Sequence, residues 1–292
     1  MPGALKLATA AAILLAGGCA SVPAEAPACP RDPRVNEVAA DWRMKRPQQK
    51  TDMALADAPC FRRHLLRSLA AELGPVVGYK VGLYTKAGQQ NFGDPGPTIG
   101  VLHRNMLIEE GTPVSVRYGY SAIAEADFIV VVKDNGINAA TTREEAFRHL
   151  RGYRPFVELA DNNFVAGTKV TAGELIALNV NARLGMVGRE VALPQTAAGM
   201  EGLTNLSVRL TIERSGTAET SDGQALKTLG DPLEIVLFAK NELLRQGERL
   251  KAGDLISLGT LLPAKVPRAG DTMRMRYKVL GQPNDIAISF VP

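Results

Sequence analysis

The sequence predicts an α+β protein built on a dominant, partly closed mixed β-sheet, with a small N-terminal helical cap. Short apolar runs rich in β-branched residues recur from Val76 to the C-terminus. Helical patterns are few and fall irregularly between them, so the regular βαβα alternation of a parallel fold is missing. The chain has 292 residues, 46% of them hydrophobic, enough for one large core or two closely packed ones.

Taken in order, Val35 to Met53 carries weak helical signals. From Pro59 to Leu73, Leu65, Leu66, Leu69 and Leu73 recur on one helical side until Gly74-Pro75 stops the helix. Val76 to Leu83 reads as a strand, Gly93 to Pro97 as a turn-rich loop, and Pro113 to Tyr118 and Ala124 to Lys133 as strands. Thr142 to Tyr153 is predicted helical, with Glu144 and Glu145 in its first turn, and Arg154 to Leu159 extended. Leu175 to Val180 reads as a strand or, alternatively, a helix, and Leu184 to Val191 as a strand. Leu206 to Glu213 and Gln224 to Leu229 are expected to pair as a hairpin around polar Ser215 to Gly223. Asp231-Pro232-Leu233-Glu234 starts a helix: Asp caps, Pro takes the first helical position and Glu can return the cap. That helix runs to Gln246 and ends at Gly247. From Leu250 the chain is β-rich again, turning at Ala252-Gly253-Asp254 and Ala269-Gly270-Asp271.

The N-terminus points to export. One positive charge precedes the apolar run Leu7 to Ala16, and Gly17-Gly18 leads into Cys19. This is the layout of a secretory signal, too short for a membrane span. Leu15-Ala16-Gly17-Gly18-Cys19 resembles a bacterial lipobox, which would make residues 1–18 a signal peptide and Cys19 the lipidated mature N-terminus. Ala20 beside it resembles cargo for the outer membrane, facing the periplasm, and the membrane contact would be the lipid alone. An ordinary signal with a free Cys19 is the alternative. In an oxidising compartment Cys29 and Cys60 can pair, or stay as two thiols. Residues 19–58 are expected to form an Ala/Pro-rich tether and a helical segment, and 59–292 one domain.

A net charge of +4, with Lys and Arg dispersed, offers no basic stripe with interleaved aromatics, so nucleic acid is not an expected partner. No glycine-rich phosphate loop or Gly-x-Ser-x-Gly elbow is present, and His64, His103 and His149 lack zinc-ligand spacing. The strand Ala124 to Val132 is the exception to this plain chemistry. Glu125 and Asp127, two apart, leave the same face of the strand, and Ile129 and Val131 follow on that face. Carboxylates at the mouth of a lined pocket are a candidate clamp for a hard cation; an exposed acidic face is the plain alternative.

Longer blocks carry a resemblance. Gly78-Tyr79-Lys80-Val81-Gly82-Leu83, Gln89-Gln90-Asn91-Phe92-Gly93 and Gly100-Val101-Leu102 resemble the opening of 2-keto-4-pentenoate hydratases. Glu125-Ala126-Asp127-Phe128 resembles their Glu-x-Glu strand and Val157-Glu158 their third acidic position. Asp231-Pro232-Leu233-Glu234, Lys251 to Ile256 and Ala269-Gly270-Asp271-Thr272 resemble their closing block. Those enzymes belong to the fumarylacetoacetate hydrolase superfamily. The resemblance spans about residues 60 to 292 and implies a β-roll, a divalent metal (Mg²⁺ or Mn²⁺) and a small 2-oxo acid as partner.

Carried over, it implies Glu125, Asp127 and Glu158 as metal ligands and Lys80 as the catalytic lysine. The implied reaction is water addition to the distal double bond of a chelated 2-keto-enoate, or decarboxylation through the same enolate. The pattern departs from the family where Thr98 stands near an expected acid and where Val180-Asn181-Ala182-Arg183 replaces Asp-Asn-Ala-Ser. It departs again near Gly259-Thr260-Leu261-Leu262, where Leu262 replaces a hydroxyl residue. Asn181, Arg183, Thr98 and Thr260 are therefore the substrate-binding candidates, Arg183 as a bidentate partner for an extra carboxylate or as a solvent-facing side chain. A binding protein on the same fold, or a C–C hydrolase or isomerase with a histidine beside the metal, stays open, as does a homo-oligomer.

Overall fold

The computed structural model describes residues 29–292; the expected signal sequence and Cys19 lie outside the described residues. Among the described residues, thirteen strands carry the fold. They are β1 (Val76–Gly82), β2 (Thr98–His103), β3 (Leu107–Glu109), β4 (Val114–Ser115), β5 (Ala122–Val132), β6 (Leu150–Asp161) and β7 (Leu184–Val187). After them come β8 (Val191–Ala192), β9 (Ser207–Arg214), β10 (Thr217–Gln224), β11 (Leu255–Ser257), β12 (Thr272–Val279) and β13 (Gln282–Val291). One sheet runs β2-β1-β11-β5-β6-β7-β3, with β8 on β6; a second runs β10-β9-β12-β13-β4. Both mix parallel and antiparallel pairs: β1 lies parallel to β11, whereas β11, β5 and β6 are successively antiparallel.

Alternation along β5 divides its side chains between two environments. Phe128, Val130 and Val132 enter the main core, where the second sheet and helix Pro232–Arg245 cover the first sheet. Ile129 and Val131 face the other way, into a small cluster with Phe156, Val187 and Leu255. The buried Tyr277 of β12 ties the sheets together, its hydroxyl donating to Asp127 O at 2.5 Å and Phe156 O at 3.3 Å. Helices Val35–Met44, Ala58–Ser68 and Ala172–Ala177 pack into a third apolar cluster that forms the N-terminal cap. A disulfide joins Cys29 to Cys60, fastening the start of the described chain to the second of these helices. Among the described residues no helix is long and apolar enough to cross a membrane.

Three local expectations are corrected. The helix expected through Tyr153 is confined to Arg143–Arg148, held by a Thr142–Glu145 capping box, because residues from Leu150 onward join the long ladder with β5. Leu175 to Val180 begins in helix Ala172–Ala177, started by a Thr171–Glu174 capping box. In the hairpin, the polar stretch itself is strand β10, whereas Gln224 to Leu229 yields the short helix Ala225–Thr228. Ser215 and Gly216 make its two-residue turn, both at positive φ (49° and 79°), the backbone that matches the twist of paired strands. An edge strand that is polar on both faces shows no apolar alternation to read.

Candidate active site

The register of the first sheet brings four charged side chains to one face. Glu125 of β5 stands directly opposite Glu158 of β6, and Asp127 is two residues further along β5. Lys80 of β1 is level with Ser257 of β11, which is level with Ile129 of β5. Lys80 and Glu158 are both buried and form an ion pair; the same amine donates to Val180 O at 3.0 Å.

Lys80 sits in a backbone cradle. A Cβ on Gly100 would lie 3.0 Å from Lys80 Cγ and 2.8 Å from Asn179 O, so glycine lets the 179–181 segment close over the lysine. That segment holds three successive left-handed residues: Asn179 (φ 58°), Val180 (φ 54°) and Asn181 (φ 59°). A β-branched residue there is strained, and such strain persists only where neighbours enforce it. The Asn179 side chain enforces it, accepting from Val101 N at 2.8 Å and donating to Val101 O at 2.9 Å.

Charge is unbalanced here, with three carboxylates against one ammonium. Burial, followed by the Glu158 charge, pushes Glu125 up to about 8 and Asp127 up to about 7. Burial alone would lower the Lys80 amine, but Glu158, Glu125 and Asp127 outweigh it and hold it above its ordinary value, a cation. Oxygen donors with surplus negative charge fit a hard divalent cation. Glu125 and Glu158 reach the cavity wall, and Asp127 lies beneath it. Its Oδ2 accepts from Ser257 Oγ at 2.5 Å and its Oδ1 from Gly259 N at 3.0 Å and Phe128 N at 2.5 Å. The three acids do not converge on one point in this structure.

The cavity above these groups measures about 880 Å³, and Tyr84, Asn91, Leu229, Leu258 and Leu262 help to line it. Thr260 lines it as well, its hydroxyl donating to Leu262 O at 2.7 Å. The other three substrate-binding candidates fall outside the lining. Arg183 is buried elsewhere, donating to Tyr118 O at 3.0 Å and Trp42 O at 2.8 Å with its guanidinium 3.7 Å from the Trp42 ring centroid. Its planar fork is spent on packing, so it neither reaches substrate nor faces solvent. Asn181 donates to Asn162 Oδ1 at 3.3 Å, and Thr98 sits on edge strand β2 opposite Gly82.

Gly100, Asn179, Val180 and Ser257 are the site residues that sequence reasoning missed. A glycine between the strand residues Ile99 and Val101 was the one visible signal of close backbone approach. None of the three histidines lines the acidic cavity. His149 meets Asp134, His103 Nδ1 donates to Gly74 O, and His64 lies with Cys29 and Cys60, whose sulfurs are bonded to each other.

The fold and site together define a curled-sheet protein whose acidic cluster and buried lysine share one face. The chain matches the family model for the fumarylacetoacetate (FAA) hydrolase C-terminal domain over residues 75–285, and it belongs to that family. It is 25% identical to the 2-hydroxyhexa-2,4-dienoate hydratase of Comamonas testosteroni over 232 residues, covering 79% of this chain and 85% of that one. It is likewise 25% identical to the 4-oxalocrotonate decarboxylase of Pseudomonas putida, over 79% of this chain and 84% of the relative. The solved 4-oxalocrotonate decarboxylase from Pseudomonas putida G7, complexed with magnesium and adipate, superposes with a TM-score of 0.74 at 23% identity. That match covers 90% of this chain and all of the other.

Proposed function

We propose that the protein is a divalent-metal-dependent lyase acting on a small 2-oxo acid, by hydration or decarboxylation of an enolisable 2-keto-enoate. One observation carries this reading: Lys80, Glu125 and Glu158 line one cavity, with Asp127 directly beneath. The curated relatives include hydratases and a decarboxylase, and one solved relative was captured with magnesium. Glu125 and Glu158, with Asp127 behind them, would hold Mg²⁺ or Mn²⁺. Bound there, the cation would supply Lewis-acid stabilisation of negative charge on the 2-oxo oxygen.

The chain's own residues supply the rest. Lys80, fixed by Glu158 and Val180 O, holds the proton exchanged in the keto–dienol step. Leu229, Leu258 and Leu262 offer an apolar wall to the carbon chain of the substrate. Water adds across the distal double bond to give a 4-hydroxy-2-oxo acid. The lack of a histidine in the lining favours this chemistry over C–C hydrolysis. Turnover of 2-oxo-4-enoates followed by dienol absorbance tests the reading. Metal-dependent product that Lys80→Ala abolishes supports it, and ligand binding without product assigns a binding protein instead.

We also infer an exported lipoprotein, anchored through Cys19 and probed by membrane fractionation of Cys19→Ala. The leader pattern supports it, and the Cys29–Cys60 disulfide suits an oxidising compartment. Release of the variant into the soluble fraction is expected; unchanged membrane association would refute the lipid anchor.

A further inference from the structure

Strand β1 has a cavity on each side. Lys80 faces the acidic one; Tyr79, its neighbour, faces a second cavity of about 520 Å³. This second space lies between helix Ala58–Ser68, the outer side of β1 and β2, and the end of helix Pro232–Arg245. Its walls include the apolar Leu66, Val101 and Leu243.

Arg62 is the notable group. It is 5% exposed, yet no carboxylate of the described residues comes within ion-pair distance of its guanidinium. Its hydrogen bonds go to Ile99 O and, at 3.3 Å, to Gln246 Oε1, both uncharged. Burial pulls it down to about 10; Glu242, bound to the same Gln246 at 2.6 Å, offsets part of that without reaching ion-pair distance. Buried charges are ordinarily paired. Arg63 and Arg67 stand on the exposed rim of the same helix and Lys251 across from them, against two acids, Glu248 and Asp254. Asp254 is partly committed, accepting from Lys251 N at 2.8 Å. His103 is also in the lining, and its buried Nε2 has no hydrogen-bond partner. Nδ1 bonds Gly74 O at 2.8 Å, so in the neutral ring Nε2 is a free lone pair that becomes a donor on taking a proton.

We propose that this cavity is a second binding site, for a small organic carboxylate with an apolar body, whose carboxylate gives Arg62 the direct ion-pair partner that the described residues do not supply. A guanidinium fork matches a carboxylate bidentately. The apolar walls call for a hydrocarbon body, and Glu248 and Asp254 disfavour a dianion. Such a ligand would rest on the reverse side of the strand that carries Lys80.

The test is calorimetric titration of the purified protein with benzoate in the presence of EDTA, beside Arg62→Met, Arg63→Ala/Arg67→Ala and Glu125→Gln. Saturable binding is expected, weakened at least about tenfold by Arg62→Met, as loss of a charge-assisted hydrogen bond requires. The rim double variant, which removes only exposed side chains, should weaken it about two- to fivefold by lost Coulomb attraction, and it decides the matter if Arg62→Met does not fold. Glu125→Gln should change nothing. Absence of binding at millimolar benzoate would overturn the proposal. So would binding lost in Glu125→Gln but kept without the arginines, or inorganic phosphate bound as tightly as benzoate.

Discussion

The two cavities that flank β1 carry opposite charge imbalances. On the Lys80 side three carboxylates outnumber one amine; on the Tyr79 side Arg62, Arg63, Arg67 and Lys251 outnumber Glu248 and Asp254. A third place, the Arg214–Asp271 pair at the base of the second sheet, is balanced: Arg214 donates to both Asp271 oxygens, at 2.8 and 2.6 Å. Balanced charge stabilises a fold, whereas unbalanced buried charge costs stability until a ligand of opposite sign arrives.

The largest effect expected is on Lys80. Lys80→Ala should lower turnover by about 10²- to 10⁴-fold, the range for losing a positioned acid–base group. Affinity for Mn²⁺ should hold or tighten, since a competing cation is gone. Full turnover in the variant would reduce Lys80 to a counter-ion for Glu158 and break the contrast at its centre.

Asp271→Asn, at the balanced pair, should cost about 1.5–3 kcal/mol in urea unfolding, the range for a charge-assisted hydrogen bond. The hydrogen bond from Arg214 holds the Asp271 carboxyl below its ordinary range. Its folded-state pKa is thus below the unfolded one, so this stability is complete above about pH 4 and fades as pH falls through the folded value. A wild-type profile that matches the variant's between pH 5 and pH 2 would contradict that sign.

Glu125→Gln should do the reverse. In EDTA at pH 8 it removes uncompensated charge, and the thermal midpoint should rise by a few degrees; a fall would mean Glu125 is already satisfied without a cation. The smallest effect is expected from Arg62→Met without ligand: replacing an unpaired buried cation by a similar-sized apolar chain should be neutral or stabilising, within about 1 kcal/mol. A clear loss would make Arg62 a structural bolt to Ile99 O.

How much of this was legible depended on whether a signal was local. The acid pair of β5 showed itself by period-2 alternation, the strand carrying Lys80 by its short apolar run, and the helix after Asp231 by its cap. That Glu125 faces Glu158 across the ladder, or that Val180 O caps Lys80, depends on pairing between distant segments, which no local pattern encodes. Arg183 misled because its position in a motif says nothing of Trp42, far away in sequence, which holds it. Strand β10 was hidden by its two polar faces, and Arg62, which has no ion-pair partner among the described residues, looked like any other basic residue of an amphipathic helix.

The most direct test of the acidic site is calorimetric titration of the protein with Mn²⁺, with and without oxalate as an enolate mimic, beside Glu125→Ala. Metal binding that oxalate strengthens and the variant loses is the expected result. No metal binding by the wild-type protein would contradict a metal-dependent enzyme and leave a binding protein in its place.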